Sequence, residues 1–492
     1  MSTELNKKST NALAWSSFAE IMAKLVTPIV NIILARLLTP DAFGAVATIT
    51  MVITFAEVFT DAGFQKYIVQ HKFKNNEELN NGTNVAFLTN LTLSALIVII
   101  IVIFRHQLAK LVGSDSLGNA IAVASLSIIL VAFSSIQIAR FRRDLDFKSL
   151  FFVRIGAAII PLIVTVPLAF ILRNFWALVI GTLSVNLFNA VTLTIKSDWK
   201  PKFFYKFSIF KEMFSFSAWT LLESISIWLT VNIDIFIIGN KLSDYHLGIY
   251  KTSIQTVNSS IGMISAAILP VLFSTLSKCQ NDCVELKNTY LKFQKYTSLL
   301  LIPLGFGLFL YNDLVTYILL GKQWNEAAQF IGVFGLVYAF LVLFSYFASE
   351  LYRSTGNPKL SIIIQLIHIA ILIISIEIAV SYSFSLLCIA RAITQMCSIL
   401  AHIIFVRFLY KIPMIKSLLN IMPALTCSII MLISGIILRQ VSSSIWWQFV
   451  VILICVIIYI FSLFLLFRKT KNELLQTDIA QKLFHILPRY KR

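Results

Sequence analysis

The sequence predicts an all-α integral membrane protein with about fourteen transmembrane helices. Apolar residues make up 58% of its 492 residues, and the mean hydropathy is +0.84, more apolar surface than a soluble protein of this length can bury. These residues come in blocks of about 20, the length of a helix that crosses the bilayer core. The basic residues also concentrate in every second loop, as expected for a chain that crosses a membrane repeatedly.

The individual spans follow from the apolar blocks. The polar start MSTELNKKST leads into an apolar run that is too long for a signal peptide, so we expect the first span to be retained. The predicted spans are roughly 13–37, 43–61, 84–104, 119–139, 151–172, 175–195, 213–239, 246–273, 293–312, 327–350, 360–380, 384–408, 418–438 and 446–467.

The distribution of Lys and Arg predicts the orientation. With a cytoplasmic N-terminus, 30 of the 41 basic residues fall in inside segments and 7 in outside loops. We therefore expect both termini in the cytoplasm, and we interpret the net charge of +18 as a topology signal rather than a nucleic-acid-binding surface. The remaining four basic residues lie within spans: Lys24, Arg154, Lys251 and Arg391.

Enzymatic, metal-binding and cofactor-binding sites are not expected. The predicted loops reach only about a dozen residues outside and about twenty inside, too short for a catalytic domain. They contain no phosphate-binding glycine-rich loop or nucleophile elbow. Cys279 and Cys283 share one basic loop without the further ligands that a zinc site needs.

A weak internal repeat indicates two related halves. The segment LTPDAFG at 38–44 returns as LSDYHLG at 242–248, an offset of 204 residues. A second pair, Arg142…Lys148 and Arg353…Lys359, has an offset of 211. Because an even number of spans separates the copies, the halves should be related by an axis along the membrane normal. We predict an N-lobe at 1–205, a C-lobe at 206–412, two further spans at 413–467 and a basic amphipathic tail at 468–492 that lies on the inner leaflet.

Five segments, in this order, carry a family resemblance. They are ARLLTPDAFG, DAGFQKYIVQ, FRRDLDFKSL, NFWALVIG and NIDIFIIGNKLSDYHLGIY. The series resembles polysaccharide transporters of the multidrug/oligosaccharidyl-lipid/polysaccharide exporter superfamily, and is most similar to Wzx-type flippases of the colanic-acid-exporter kind.

The resemblance implies a two-lobed helical flippase of the bacterial inner membrane. It would move undecaprenyl-pyrophosphate-linked oligosaccharide to the outer leaflet for surface polysaccharide synthesis (O-antigen, capsule or exopolysaccharide). The partners to expect are this lipid-linked oligosaccharide, membrane lipids and the polysaccharide polymerase machinery. A nucleic acid is not expected.

Such a substrate needs positive charge for its pyrophosphate and aromatic surface for its sugars. A charged side chain at mid-membrane is costly, so it usually faces a protein interior or a water-filled cavity. We therefore predict a substrate pathway that includes Lys24, Arg391 and Arg154. A structural ion pair is the alternative for each, and Arg154 could instead reach the inner headgroups. Trp219 is the aromatic candidate, beside Trp15 and Trp228.

Acidic residues within spans are candidates for ion coupling. We predict this role for Glu20, Glu223 and Asp234, with hydrogen-bonded helix pairs as the alternative. Glu57 is expected to face the basic loops and to be structural. Pro28 removes one helical hydrogen bond and predicts a hinge near Lys24.

Three other functions stay open from sequence alone. A cation-coupled multidrug exporter of the same superfamily would favour an acidic cavity, whereas Lys24 and Arg391 are basic. A lipid II flippase for cell-wall synthesis also stays open, although the five segments favour the surface-polysaccharide branch. A membrane polymerase or glycosyltransferase would need longer loops.

Overall fold

The structure is a computed structural model that describes Trp15 and residues 26–61, 64–357 and 359–467, with the side chains of 61, 215–220, 222 and 223 excepted. In these ranges every regular element is helical. The helices of the chain's first part are α1 Val26–Leu37, α2 Pro40–Asp61, α3 Phe64–Gln70, α4 Asn76–Ile103, α5 Arg105–Leu111, α6 Gly118–Ala124, α7 Leu126–Arg143, α8 Phe147–Ile160, α9 Val166–Leu172, α10 Trp176–Lys196 and α11 Phe207–Lys241.

The remaining helices follow with short connections. They are α12 Asp244–Lys278, α13 Cys283–Leu310, α14 Asn312–Leu319, α15 Ala327–Leu341, α16 Phe347–Ser354, α17 Lys359–Val380, α18 Phe384–Tyr410, α19 Met414–Arg439 and α20 Ile445–Leu466. Two π-helical segments, Pro161–Thr165 and Val342–Tyr346, join α8 to α9 and α15 to α16, so that each pair forms one continuous rod.

The predicted fold class is confirmed. Among the described residues, twelve continuous helices are long and apolar enough to cross a membrane. They match the predicted spans two to six and eight to fourteen. The seventh predicted span falls within α11, a helix of 35 residues, and the first is described only from Val26 onward as α1. The helix count is therefore consistent with about fourteen spans.

Helix ends extend beyond several predicted spans because polar residues cap them outside the apolar blocks. The Glu78 backbone N–H donates to Asn75 Oδ1 (2.8 Å), so α4 begins eight residues before the predicted span at 84. Asp282 caps α13 in the same way. The backbone N–H groups of Glu285 and Val284 donate to its carboxylate (3.0 and 2.8 Å) and hold the pKa of Asp282 below its usual value.

The chain divides into two compact units. The first contains Met1–Gln255, Leu319–Ala327 and Leu372–Leu387; the second contains Thr256–Ile318, Ala328–Ile371 and Cys388–Arg492. The predicted lobes at 1–205 and 206–412 and the separate pair of spans at 413–467 stay predictions. The predicted tail helix at 468–492 lies outside the described residues.

In the first unit, the two copies of the repeated segment contact each other through glycines. A Cβ built on Gly44 would lie 1.8 Å from the carbonyl oxygen of Asp244, and one built on Gly248 would lie 1.9 Å from that of Pro40. Pro40 and Asp244 are related by the same offset of 204 as the two glycines. The contact is therefore reciprocal, as a local two-fold relation between the copies requires.

In the second unit, polar side chains join the helices inside the apolar packing. The Ser417 hydroxyl of α19 donates to Gln294 Oε1 of α13 (2.7 Å), and both residues are buried. Nearby, Asn420 Nδ2 donates to the Leu291 carbonyl (3.1 Å), and the Tyr459 hydroxyl of α20 donates to the Leu299 carbonyl (2.9 Å). Such bonds hold membrane helices together because lipid offers no alternative partner.

Candidate functional site

A cavity of about 600 Å³ lies in the first unit. Its walls come from α1, α2, α8, α10, α11 and α12 and from the π-helical segment Pro161–Thr165. This volume is within the range of ligand sites in proteins, roughly 300–1,000 Å³. The polar uncharged residues that line it are Thr27, Asn31, Thr50, Thr165, Thr182, Asn232, Thr252 and Gln255.

Two of the described residues that line this cavity are basic. Arg154 reaches it from α8 and Lys251 from α12, and no other charged residue is among its described lining residues. Arg154 is exposed and Lys251 is half-buried. An arginine offers a planar fork of N–H donors to a phosphate, whereas a lysine offers a compact charge. The pair can therefore bind an anion by two complementary chemistries. We refer to this site as the basic cavity.

Small residues keep the basic cavity open. Ala157 and Ala158 line it on α8, and Gly181 lines it on α10. A Cβ on Gly181 would lie 2.1 Å from Thr165 Oγ1 in the π-helical segment, so this position has no room for a side chain. The close approach of α10 to the π-helical segment thus depends on glycine. π-Helical segments often occur at functional sites because they redirect the side chains of a helix.

A smaller pocket of about 210 Å³ lies beside the basic cavity and shares Val46, Thr50 and Thr182 with it. Glu57 lines this pocket with Thr54, and its carboxylate has no hydrogen bond or ion pair in the part of the chain that the structure describes. The expected role of Glu57 in facing the basic loops therefore finds no supporting contact.

Asp234 is buried next to the basic cavity rather than in its lining. Its carboxylate accepts hydrogen bonds from the Tyr250 hydroxyl (2.7 Å) and from the backbone N–H of Ile235 (2.8 Å). Tyr250 immediately precedes Lys251, so this bond fixes α12 against α11 at the point where Lys251 enters the cavity. The ion-coupling role predicted for Asp234 stays a prediction.

The other predicted site residues lie elsewhere or outside the description. Arg391 lies on α18 in the second unit and is partly buried. Pro28 lies on α1, next to the cavity residue Thr27. Lys24 and Glu20 lie outside the described residues, as do the side chains of Trp219 and Glu223. Their predicted roles, including the hinge at Pro28, stay predictions.

The remaining two aromatic candidates pack against protein. Trp228 donates its indole N–H to Thr54 Oγ1 (3.1 Å) and contacts the Phe55 ring (4.6 Å between centroids). Trp15 contacts Phe151 (5.0 Å between centroids).

Lys251 is the cavity residue that the sequence analysis did not select. Its signal was present in the sequence, because a lysine in a membrane span is followed by Thr252 and, one turn later, by Gln255. All three line the basic cavity. The polar stretch of the eighth span thus marks a cavity wall.

Comparisons with known proteins place the chain in a family. The sequence profile of the polysaccharide biosynthesis protein family matches residues 33–329. An uncharacterized membrane protein in the cps region of Klebsiella pneumoniae is 24% identical over 326 residues, 65% of this chain and 66% of that protein. The succinoglycan biosynthesis transport protein ExoT of Rhizobium meliloti is 23% identical over 342 residues, 68% and 67% of the two chains. The lipopolysaccharide biosynthesis protein WzxC of Escherichia coli is 20% identical over 363 residues, which are 72% of this chain and 69% of that protein.

Two solved structures share the fold. One is the lipid II flippase MurJ in an inward closed conformation, with a TM-score of 0.76 and 16% identity over 93% of this chain and 99% of that chain. The other is an inward-facing multidrug resistance MATE family transporter of the MOP superfamily. Its TM-score is 0.62, and it is 14% identical over 81% of this chain and 98% of that chain. The family profile covers more than half of the chain and includes all five segments that carried the resemblance. The protein therefore belongs to the polysaccharide biosynthesis protein family of multi-pass membrane proteins.

Proposed function

We propose that this protein is a flippase. It moves undecaprenyl-pyrophosphate-linked oligosaccharide repeat units across the inner membrane by alternating access, for surface polysaccharide biosynthesis. The observation that carries the proposal is the basic cavity, where Arg154 and Lys251 face one space within the membrane-spanning unit. Two cations that line one cavity between membrane helices favour a doubly charged anionic group over a neutral or cationic one.

The other features of the basic cavity suit the rest of the substrate. Threonine, asparagine and glutamine side chains offer the hydrogen bonds that sugar hydroxyls need. The polyprenyl chain has no need of a protein site because it can stay in lipid. ExoT is named as a transport protein for succinoglycan biosynthesis, which agrees with transport rather than an enzymatic step. Accordingly, we propose no catalytic residues for this chain.

A multidrug exporter is the second candidate, because a MATE transporter shares the fold. The charge of the basic cavity disfavours it, since Arg154 and Lys251 would repel cationic drugs. A lipid II flippase is a closer alternative, because its substrate also carries a pyrophosphate. The surface-polysaccharide names of the relatives favour the flippase of repeat units.

The protein is a multi-pass inner-membrane protein, and we further propose that both termini are cytoplasmic. The flipped repeat unit would pass to a polysaccharide polymerase, which we propose as its functional partner.

The experiment uses a deletion strain of the source bacterium complemented with variants. We expect Arg154→Ala and Lys251→Ala to abolish surface polysaccharide and to cause lipid-linked repeat units to accumulate on the inner leaflet. Lys148→Ala on α8 and Lys278→Ala on α12 are matched controls, because both lysines are exposed and neither lines the basic cavity. These should complement fully.

Three results would contradict the proposal. Unchanged surface polysaccharide in the deletion strain would favour the multidrug exporter, and drug susceptibility would then be measured. Loss of lipid II translocation, with lysis, would favour the lipid II flippase. Full complementation by the Arg154→Ala, Lys251→Ala double variant would remove the basic cavity from the substrate pathway.

A further inference from the structure

The connection between α10 and α11, together with the first residue of α11, exposes three aromatic side chains. Phe203 is fully exposed (101%), Phe207 is 68% exposed and Tyr205 is 51% exposed. Aromatic side chains that lie close together on a surface are unfavourable in water, and such a surface promotes aggregation. They are favourable at the interface between lipid headgroups and acyl chains, where aromatic residues concentrate.

This exposure is built into the fold. Trp199 is buried and contacts Phe87 of α4 (5.7 Å between ring centroids). Phe204 packs against the same apolar cluster, and the Lys202 backbone N–H donates to Asn84 Oδ1 (3.1 Å). The segment is therefore anchored at three points, and Phe203 points away from the protein because its neighbour Phe204 points inward.

The hydrogen bond to Asn84 also indicates how deep in the membrane this segment lies. Asn84 ends a polar stretch of α4 that begins at Asn76 and contains Glu77 and Glu78. The apolar part of the same helix begins at Val85 and runs toward Ile103. A helix passes from headgroups to acyl chains where its sequence changes in this way. The segment bonded to Asn84 thus lies at the headgroup level.

Basic residues alternate with these aromatic ones. Lys200, Lys202 and Lys206 are all exposed. Lys200 is partly used within the protein, since its ammonium group donates to the Ile195 carbonyl at the end of α10 (3.1 Å). The ammonium groups of Lys202 and Lys206 have no hydrogen bond or ion pair within the described ranges. Two free positive charges next to exposed aromatic rings match an anionic lipid surface, where each lysine contributes about 1 kcal/mol.

We propose that the segment Lys200–Phe207, the basic–aromatic segment, binds anionic phospholipid headgroups of the leaflet that it faces. Phe203 and Phe207 insert at the interface, and Lys202 and Lys206 pair with phosphates. The segment leads directly into α11, whose residues Asn232 and Ile235 line the basic cavity. Lipid binding would therefore fix the beginning of a helix that forms a wall of the proposed transport site.

The test measures which lipid lies next to position 203. The full chain with Cys283→Ser and Phe203→Cys is labelled with an environment-sensitive fluorophore and placed in nanodiscs that contain both phosphatidylcholine and phosphatidylglycerol. One of the two lipids at a time carries bromine as a quencher. We expect stronger quenching by brominated phosphatidylglycerol. Adding Lys202→Ser and Lys206→Ser should lower this preference about fivefold for each lysine removed. Both lysines are on the surface, so the variant should still fold.

The control replaces Lys278, an exposed lysine of α12, by Ser and should leave the preference unchanged. Equal quenching by the two brominated lipids, or a preference that survives the double lysine substitution, would overturn the proposal. Strong quenching by aqueous iodide instead of lipid would also overturn it, because the label would then lie in water. The readout needs no transport, so its result is independent of the proposed function.

Discussion

The Arg143 guanidinium joins two parts of the first unit that are distant in sequence. It donates to the carbonyls of Ile68 (2.7 Å) and His71 (2.8 Å) at the end of α3, and it lies 4.9 Å from the centre of the Phe73 ring. Carbonyls at a helix end lack partners within their helix, so a cation there is favourable. Arg143 belongs to the motif FRRDLDFKSL, and this contact gives part of that motif a structural role.

We expect Arg143→Ala to lower the free energy of unfolding by about 1.5–3 kcal/mol, the range for hydrogen bonds to a charged group. Arg143→Lys should recover only part of this loss, because a lysine cannot bond several carbonyls in a fork. Thermal unfolding of the detergent-purified protein, followed by size-exclusion chromatography, measures the effect.

Arg142→Ala is the matched control, since the Arg142 side chain is exposed and makes no hydrogen bond in the described part of the chain. Equal loss of stability in both variants would mean that α3 is held by something other than Arg143.

At the scale of elements, the reciprocal glycine contact decides how closely α2 and α12 approach each other. The atoms opposite Gly44 and Gly248 are backbone carbonyls, which cannot move aside as a flexible side chain can. The distance also allows Cα–H groups to contact these oxygens, a weak attraction common where helices meet.

Alanine at either glycine should therefore be harmful. We expect Gly44→Ala and Gly248→Ala each to lower the free energy of unfolding by about 1–3 kcal/mol, the usual range for overpacking. Gly262→Ala is the control, because Gly262 lies on the same helix α12 with no atom within 4 Å of its Cβ position. That variant should be neutral or stabilised by up to about 1 kcal/mol. Thermal unfolding in detergent compares the three, and a neutral Gly248→Ala would contradict the tight contact.

At the scale of the whole molecule, the orientation in the membrane can be tested with native chemistry. Cys283 is exposed at the start of α13, in a connection that the positive-inside pattern predicts to be cytoplasmic. A membrane-impermeant maleimide should label it in inside-out vesicles and not in right-side-out ones. Cys283→Ser should remove this signal.

A cysteine at an outside position supplies the opposite control. Ser116 is exposed in the short connection before α6, which is predicted to be outside. In the Cys283→Ser background, Ser116→Cys should be labelled only in right-side-out vesicles. Labelling of both positions from one side would require a different number of spans between them.

Much of this architecture was predictable because it depends on local sequence. Hydropathy alone located the membrane helices, since each span must satisfy its own backbone hydrogen bonds in lipid. The 204-residue repeat also marked the two segments that meet at Gly44 and Gly248.

The cavity lining was harder to predict, because it depends on the rotation of each helix about its axis. Arg154 lines the basic cavity beside Lys251 and Arg391 lies in the other unit, and the predicted pathway that includes both stays a prediction. Polar neighbours accompany Lys251 in its span, but a basic residue without such neighbours gives no local signal of whether it faces a cavity or pairs with a neighbouring helix.

The reciprocal glycine contact also restricts how the chain can change during evolution. A bulky side chain is commonly accommodated when a second mutation trims the residue opposite. Here the opposing atoms are the backbone carbonyls of Asp244 and Pro40, which every amino acid carries, so no substitution at these positions can remove them. Selection for restored function after Gly248→Ala should therefore return true revertants to glycine rather than second-site suppressors at position 40. The two glycines of the repeated segment would then be among the least replaceable positions of the sequence.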